Sequence, residues 1–219
     1  MANNSRARGT SLDPRVRRTR ALLRAAVLDL SLEKDLDSIT MSDIAQRAEV
    51  NRATVYLHYK NREDLLLDAT ESTMEGVVEA ARACRLSADA QVLSDTTPVH
   101  LVNLFTHIDQ HRAVYRRMLG EDGSSRFAAR LEHLLARAWF EQLRDEAPEA
   151  APDETALLVR SHFLSGAVLA VVGPWARGEF DGAGAGASTG AGTGTGAGAG
   201  RMSVAEVSAL TWALIRGRG

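Results

Sequence analysis

Apolar residues recur along this chain at the three- and four-residue spacing of amphipathic helices. Asp13-Pro14 is a helix-start signal, with an acidic N-cap followed by proline at the first helical position. Leu23, Val27 and Leu30 then recur on one helical face, and comparable faces follow to the end of the chain. Alternating β-branched runs, which are typical of strands, are absent from the sequence. The pattern predicts an all-α protein of about nine helices.

The spacing between residues 40 and 59 is that of a helix-turn-helix unit. Thr40 begins a predicted helix, and Ala45 is a small residue where a second helix must cross closely. Glu49 falls at the turn and Val55 six residues later, in a second helix that Asn51 is expected to cap. Such a unit places its second helix in the major groove of DNA, although an ordinary helical hairpin has similar spacing.

The distribution of charge divides the chain in two. The formal net charge is only −2, from 26 Lys and Arg against 28 Asp and Glu. Residues 1–65 carry a net charge of +3 and residues 66–219 carry −5, while the first 24 residues alone carry +6. A basic arm on an acidic chain points to a polyanionic partner, although a solvated terminus has the same composition. We predict a DNA-binding domain over 1–65 and a second helical domain over 66–219.

The segment from Asn51 to Leu66 closely resembles the recognition helix and following turn of the TetR family of bacterial transcriptional repressors. The positions that fit the family's pattern are Thr54, Val55, Tyr56, His58, Glu63 and Leu65. Tyr59 replaces the family's usual Phe, and Arg62 replaces its usual Lys. The resemblance covers roughly Arg15 to Leu67. It implies a three-helix helix-turn-helix DNA-binding domain, followed by a diverged helical domain that binds a small molecule and dimerises.

One residue departs from the family's pattern within the turn. Glu49 stands where the family most often has glycine. We expect a positive φ angle at this position, which is uncommon and mildly strained for a residue other than glycine.

The resemblance implies DNA-contacting roles that the chemistry of the side chains supports. Arg52 and Ala53 are expected to face base edges, because Arg reads guanine and Ala contacts the methyl group of thymine. Phosphate contacts are expected from side chains with hydroxyl, imidazole or ammonium donors: Thr40, Thr54, Tyr56, His58 and Lys60. The alternatives are a solvated Arg52 and a Tyr56 ring that packs against the first helix.

For the second domain, the resemblance implies that the last two long helices dimerise, here about Asp153–Gly173 and Ser203–Arg216. The residues expected at this interface are Phe163, Gly166, Ala167, Ala170, Val207, Leu210 and Leu214. The alternative is burial of these residues within a single chain. Two-fold symmetry suits a regulator that binds two half-sites of a pseudo-palindromic operator.

A pocket for a small apolar or amphipathic effector is expected among the middle helices. Its candidate residues share an apolar or aromatic character: Met74, Val78, Leu101, Phe105, Tyr115, Met118 and Trp139. A stripe of this kind is more often core than cavity.

Other candidate chemistry in the sequence is weak. His107 and His111 lack a clear third metal ligand, so we expect no metal site and no cofactor. Cys84 is either an oxidant sensor or an inert small hydrophobe. The tract 182–200 holds 9 of the 18 glycines but no Gly-Lys-Ser/Thr, which predicts a flexible loop rather than a phosphate-binding loop.

The sequence therefore predicts a dimeric DNA-binding regulator. The leading hypothesis is a repressor that a small-molecule effector releases from its operator, and the alternative is a regulator without an effector. Catalytic motifs are absent, so an enzyme is not expected. The single cysteine and the lack of an apolar N-terminal stretch favour the cytoplasm, and no apolar run reaches the roughly 18 residues of a membrane span.

Overall fold

The computed structural model describes residues 13–83, 96–146, 153–182 and 200–216. Within these ranges the regular elements are nine α-helices and the short 3-10 turn Leu36–Ser38, with no strand. The helices are α1 (Pro14–Glu33), α2 (Met41–Arg47), α3 (Arg52–His58), α4 (Arg62–Ala83), α5 (Val99–Gln110), α6 (Arg112–Met118), α7 (Ser125–Glu146), α8 (Glu154–Arg177) and α9 (Val204–Ile215). The predicted all-α class is confirmed.

The chain folds as two compact units, Met1–Ala69 and Thr70–Gly219. The boundary falls inside α4, so that this helix belongs to both units. The division that charge suggests, after Leu65, lies four residues earlier.

Side-chain caps fix where the helices of the N-terminal unit begin. The Asp13 carboxylate accepts a hydrogen bond of 2.8 Å from the Arg15 amide, one residue after the proline at the first helical position. Thr40 and Asp43 form a capping box at the start of α2, and the Asn51 side chain accepts from the Ala53 amide at 2.9 Å. These contacts satisfy amides that have no partner within the helix, typically worth about 1 kcal/mol each. The predicted helix starts are confirmed.

The core of the N-terminal unit draws on all four of its helices. One fully buried side chain or more comes from each: Leu23, Val27, Ile44, Val55 and Leu65. Burial of a side chain of this size contributes about 1.5–3 kcal/mol. This core holds α3 in place from one side and leaves its other side in solvent.

The C-terminal unit is organised around α8. This helix packs against α6, α7, α5 and α9, and α5 packs in turn against α9. Aromatic side chains fill the interior: Phe105 meets Trp175 edge-on with 5.5 Å between ring centroids, and Tyr115 meets Phe127 at 6.2 Å. Such edge-to-face pairs are worth about 0.5–1.5 kcal/mol beyond their burial.

The C-terminal end of α8 differs from the prediction. The sequence places the end at Gly173, before a proline, but the helix continues through Pro174 to Arg177 and ends where Gly178 takes φ = 84°. The Arg112 guanidinium donates to the carbonyls of Trp175 and Ala176 and lies 4.8 Å from the Trp175 ring. These contacts stabilise the turn beyond the proline, which local sequence rules cannot foresee.

Among the described residues, α8 is also the one helix whose length and apolar composition would suit a membrane span. One such helix is weak evidence, because the core helix of a folded domain meets the same criterion. Here α8 contributes fully buried residues to the core, among them Val168, Val172 and Trp175.

The described residues on the two sides of the glycine-rich tract are hydrogen-bonded to each other. The Gly182 amide donates to the Gly200 carbonyl at 3.2 Å, and the Met202 amide donates to the Asp181 carboxylate at 2.9 Å. The predicted loop between these glycines, residues 183–199, lies outside the described residues, as does Cys84. These hydrogen bonds link the segment that follows α8 to the segment that precedes α9.

Candidate nucleic-acid interface

The unit formed by α2, the turn and α3 is closed by a small residue and one unusual backbone angle. Ala45 is buried where the two helices cross, and its carbonyl accepts a hydrogen bond of 3.0 Å from the Val50 amide. Glu49 adopts φ = 54°, the sole positive φ of a non-glycine residue in the part of the chain that the structure describes. The predicted turn position is confirmed, and Glu49 carries the strain of a left-handed conformation with a Cβ.

Two buried residues orient α3, the helix predicted to recognise DNA. Val55 is fully buried and Tyr59, at the C-cap, is 5% exposed. Arg52, Ala53 and Tyr56 consequently lie on the solvent side, with Tyr56 49% exposed. The Arg52 guanidinium carbon lies 5.8 Å from the centre of the Tyr56 ring, a cation–π contact that restricts both side chains.

The residues predicted to contact phosphates occupy varied environments. Lys60 is exposed, whereas Thr54 and His58 are half-buried at the flank of α3. The Thr40 hydroxyl is exposed and accepts a hydrogen bond of 3.1 Å from the Asp43 amide as the cap of α2.

A polar cluster that the sequence did not reveal fixes α3 to α1 and to the start of α4. The Tyr59 hydroxyl donates to the Asp68 carboxylate and accepts from Arg20 Nε at 3.1 Å. Arg20 also bonds Asp68 at 3.1 Å, and Arg24 approaches the same carboxylate at 3.7 Å. Burial is the main reason that the pKa of Tyr59 is raised, so its hydroxyl keeps its proton. The departure from the family's usual Phe supplies the central group of this cluster.

Arg62, the other departure in this segment, is a second anchor. Its guanidinium donates to the carbonyl of Leu36 and to the Asp37 carboxylate, the latter at 2.9 Å. It thereby ties the start of α4 to the turn that precedes α2. A planar guanidinium makes such paired contacts more readily than lysine.

The arginines of the basic arm that is predicted to bind DNA fall into two groups, one exposed and one engaged in ion pairs. Arg15, Arg17 and Arg18 are exposed at the start of α1, whereas the cluster around Asp68 engages Arg20 and Arg24. The arginines at positions 6 and 8 lie outside the described residues.

A polar cleft of about 420 Å³ lies on the N-terminal unit beside α2 and was not predicted. Its lining consists of Leu30, Lys34, Asp43, Gln46, Arg47 and Glu49. The Lys34 ammonium, together with the Thr40 amide and hydroxyl, lowers the pKa of Asp43 to about 2. None of the residues predicted to bind an effector borders this cleft.

The predicted effector residues lie in the core of the C-terminal unit. All are buried: Met74, Val78, Leu101, Phe105, Tyr115, Met118 and Trp139. Tyr115 donates its hydroxyl to the Thr73 carbonyl of α4 at 3.0 Å, and His107 Nε2 lies 3.0 Å from the same oxygen. The indole nitrogen of Trp139 is buried and has no hydrogen-bond partner among the described residues.

The histidine pair forms a contact between rings. His107 and His111 have ring centroids 4.7 Å apart, and the neighbouring Asp109 pairs with Arg112 and Arg201. Over the described ranges no group of three His, Cys, Asp or Glu could hold a metal ion.

The residues predicted for dimerisation divide between surface and core. Those that the structure leaves exposed are Phe163, Gly166, Ala170, Leu210 and Leu214. Ala167 is half-buried and Val207 is only 2% exposed, so Val207 packs within its own chain.

The N-terminal segment matches a known family. Residues 22–69 match the model described as bacterial regulatory proteins, tetR family. Two Bacillus subtilis (strain 168) proteins, both described as uncharacterized HTH-type transcriptional regulators, are similar over this part of the chain. YxbF is 41% identical over 69 residues, which cover 31% of this chain and 18% of YxbF, and YdeS is 38% identical over 60 residues, which cover 27% and 30%. The chain thus matches less than a third of the length of either relative.

Solved structures share the architecture over nearly the full length. A TetR transcriptional regulator from Streptococcus agalactiae 2603V covers 92% of this chain and 95% of its own, with a TM-score of 0.59 and 19% identity. NalD from Pseudomonas aeruginosa covers 93% and 97%, with a TM-score of 0.54 and 18% identity. Identities this low establish the fold alone. Residues 22–69 are thus similar to the tetR family of bacterial regulatory proteins, and the chain shares the fold of these solved regulators.

Proposed function

We propose that this protein is a dimeric transcriptional regulator that binds a pseudo-palindromic DNA operator through α3. One observation carries the proposal: Val55 and Tyr59 fasten α3 to the core, while Arg52, Ala53 and Tyr56 lie exposed on its other side. A helix held in this way presents its first residues to base edges in the major groove. Arg52 is the residue we assign to guanine recognition, and Ala53 to a thymine methyl.

Positive charge and hydroxyl groups around α3 support the DNA proposal. Lys60 and the arginines at the start of α1 are exposed, and a double helix carries one phosphate charge per ~1.7 Å of its axis. We assign Thr40, Thr54, Tyr56, His58 and Lys60 to phosphate contacts, which fix the register of α3 without reading sequence.

The exposed stripe of α8 supports the dimer. Ala156, Val159, Phe163, Gly166 and Ala170 follow one another at alternating spacings of three and four residues, and all five are exposed. Phe163 is 70% exposed, and a Cβ added to Gly166 would meet no atom of the described residues within 4 Å. This is the spacing of a helix seam that packs against a second helix, with a large side chain beside an open notch. A second copy of the chain, with Leu210 and Leu214 of α9 at the margin, is the partner we propose.

We propose further that a small apolar or amphipathic effector binds within the C-terminal unit and lowers operator affinity, which makes the protein a repressor. The buried Trp139 indole supports an amphipathic ligand, because a buried N–H without a partner is rare and would favour a hydrogen-bond acceptor. The hydrogen bonds from Tyr115 and His107 to Thr73 join α4 to α5 and α6, so a ligand that displaces them would act on α4. The alternative is a regulator without an effector.

The family consists in general of regulators rather than enzymes, and we propose no catalytic activity, no cofactor and no metal. We place the protein in the cytoplasm, where its proposed DNA partner lies, without a membrane-spanning role for α8.

Selection of bound duplexes from random DNA tests the proposal. We expect a recovered sequence with two half-sites about 34–36 Å apart. Arg52→Ala should lose about 1–3 kcal/mol of binding free energy and relax the preference at one position of each half-site. Lys60→Ala should weaken binding to all sequences alike and reduce the salt slope by about 1. If the folded protein selects no sequence above background, that result contradicts the proposal.

A ligand screen separates the repressor from the alternative. Compounds that raise the melting temperature are retested for release of the recovered duplex, with Trp139→Phe as the variant that removes the indole N–H. Ligands that stabilise the protein and release DNA support the repressor, whereas stabilising ligands without effect on DNA favour the alternative.

A further inference from the structure

Leu57 is an apolar side chain that α3 leaves in solvent. It is 82% exposed, more than any other large hydrophobic residue in the ranges that the structure describes. An exposed leucine on a short helix adds nothing to the core, because only buried apolar surface stabilises the fold. Single exposed apolar side chains are common on protein surfaces, so a role for Leu57 depends on where α3 places it and on what surrounds it.

Helical geometry places Leu57 at the centre of the solvent face. At 100° per residue, Ala53 and Leu57 lie one turn apart and directly opposite Val55 and Tyr59, which are buried. The two residues form a short apolar strip along the part of α3 that projects farthest from the core. We call Ala53 and Leu57 the apolar strip.

Polar and cationic side chains border the apolar strip on both sides. Arg52 and Tyr56, in contact with each other, lie along one edge, and Thr54 and His58 lie along the other. Exposed Lys60 follows just beyond the end of the helix. An apolar centre with a polar, positive border is complementary to a groove whose walls are phosphates and whose floor carries an apolar group.

DNA offers one apolar group of that kind. In the major groove, the 5-methyl group of thymine is the apolar feature among hydrogen-bond donors and acceptors, and alkyl side chains contact it. A leucine reaches about two bonds farther from the helix axis than Ala53 and so contacts a base that Ala53 alone cannot.

We propose that Leu57 is a specificity-determining residue that reads thymine through the 5-methyl group, with Ala53 as the adjoining part of the apolar strip. This inference rests on the proposed function, since it requires that α3 enters the major groove. It adds a residue and a chemical group to that function. The preference that it predicts is for thymine over cytosine and over deoxyuridine.

The test compares thymine with deoxyuridine, which lacks only the methyl group and keeps the same pairing edge. Each thymine of the duplex recovered by selection is replaced in turn, and affinity is measured for the full-length protein. We expect at least one replacement per half-site to weaken wild-type binding by about three- to fivefold, the factor that corresponds to burial of one methyl group. Leu57→Ala should bind the unmodified duplex less tightly by a similar factor and should be insensitive to the same replacement.

The matched control is Leu32→Ala, which removes the same type of side chain from an exposed position of α1, outside α3. It should retain both wild-type affinity and wild-type sensitivity to deoxyuridine. Because Leu57 lies in solvent, Leu57→Ala should also keep the melting temperature of the wild type, so that a loss of binding is not a loss of fold.

Three outcomes would overturn the inference. Equal wild-type affinity for thymine and deoxyuridine duplexes, or the same sensitivity in Leu57→Ala, would show that Leu57 does not read the methyl group, while the proposed function stands. A change in the oligomeric mass of DNA-free Leu57→Ala would assign the apolar strip to a protein contact. Failure of the wild type to select any duplex would contradict the proposed function and this inference with it.

Discussion

Two exposed surfaces of this protein, one in each unit, contain apolar side chains that differ in the residues around them. On α3, Leu57 and Ala53 are bordered by Arg52, Tyr56, Thr54 and His58. On α8, the exposed stripe consists of apolar residues and glycine, without a charged member. The first surface suits a partner that combines charge with small apolar groups, and the second suits another apolar helix. The surroundings of an exposed leucine or phenylalanine thus indicate its partner better than its exposure does.

The two units also differ in whether the residue at a sterically restricted backbone position is glycine. The turn of the N-terminal unit puts Glu49 at φ = 54°, where glycine would fit without strain. In the C-terminal unit Gly76 lies so close to α5 that a Cβ there would be 2.2 Å from Cε1 of His107. One position therefore carries a side chain that strains it, and the other lacks a side chain because none fits.

The largest effect is expected from a charge on the apolar surface of α8. Phe163→Glu should convert the proposed dimer into a monomer at micromolar concentration, because a carboxylate cannot be buried in a seam without a partner. Loss of the second recognition helix should then reduce operator affinity by about 10²-fold or more. Light scattering coupled to size exclusion measures the mass.

Val99→Glu is the matched control for Phe163→Glu. It places the same charge on an exposed valine in the first turn of α5, where an acidic side chain is tolerated. A dimeric Phe163→Glu protein, or a wild type that is already monomeric, would remove the distinction drawn between the two surfaces.

The next effect concerns the close approach at Gly76. Gly76→Ala should lower the free energy of unfolding by about 1–3 kcal/mol, because the His107 ring must leave the Thr73 carbonyl to admit a methyl group. Chemical denaturation measures it. Gly166→Ala in the Phe163→Glu background is the control, since its Cβ meets nothing within 4 Å. Each alanine variant is compared with its own parent. Equal changes in the free energy of unfolding would show that α4 and α5 are not in such close contact.

Substitution of Glu49 is expected to increase stability, unlike the changes described above. Glu49→Gly should raise the free energy of unfolding by about 1 kcal/mol, because the left-handed conformation costs an L-residue that much. DNA binding should persist, since Glu49 lies in the turn and not on the exposed face of α3. Glu49→Ala separates the backbone effect from loss of the carboxylate, since it keeps the Cβ and should bring no such gain. A lower melting temperature for Glu49→Gly would contradict the strain.

The smallest effect is a pH dependence centred on His107. Burial lowers the pKa of His107 below its usual value, the hydrogen bond with Thr73 opposes this shift, and nearby His111 adds to it. Unfolding therefore takes up a proton, and stability should fall as the pH drops below about 6.5, the value of an unperturbed histidine. His107→Gln should lose this acid-sensitive part of the stability curve. An unchanged curve in that variant would assign the pH dependence to other groups.

The local features of this fold follow from residues that are neighbours in the sequence. Asp13, Thr40, Asn51, Asp153 and Ser203 mark helix starts that the structure confirms, because a cap involves residues only two or three positions apart. The turn angle at Glu49 was predicted instead from the resemblance, because the family's usual glycine marks a position that favours a positive φ. Val55 and Tyr59, four residues apart, share a buried face, which leaves Arg52 and Ala53 exposed.

Contacts between residues far apart in the sequence depend on how the helices pack. The cluster of Arg20, Tyr59 and Asp68 joins three helices. The continuation of α8 past Pro174 depends on Arg112, more than sixty residues away in sequence, and Val207 turned out to be core rather than surface. Periodicity identifies an apolar face but does not say what covers it, because that depends on packing between elements. Leu57 is an example. Its position opposite Val55 follows from helical geometry, whereas its 82% exposure depends on how α3 packs.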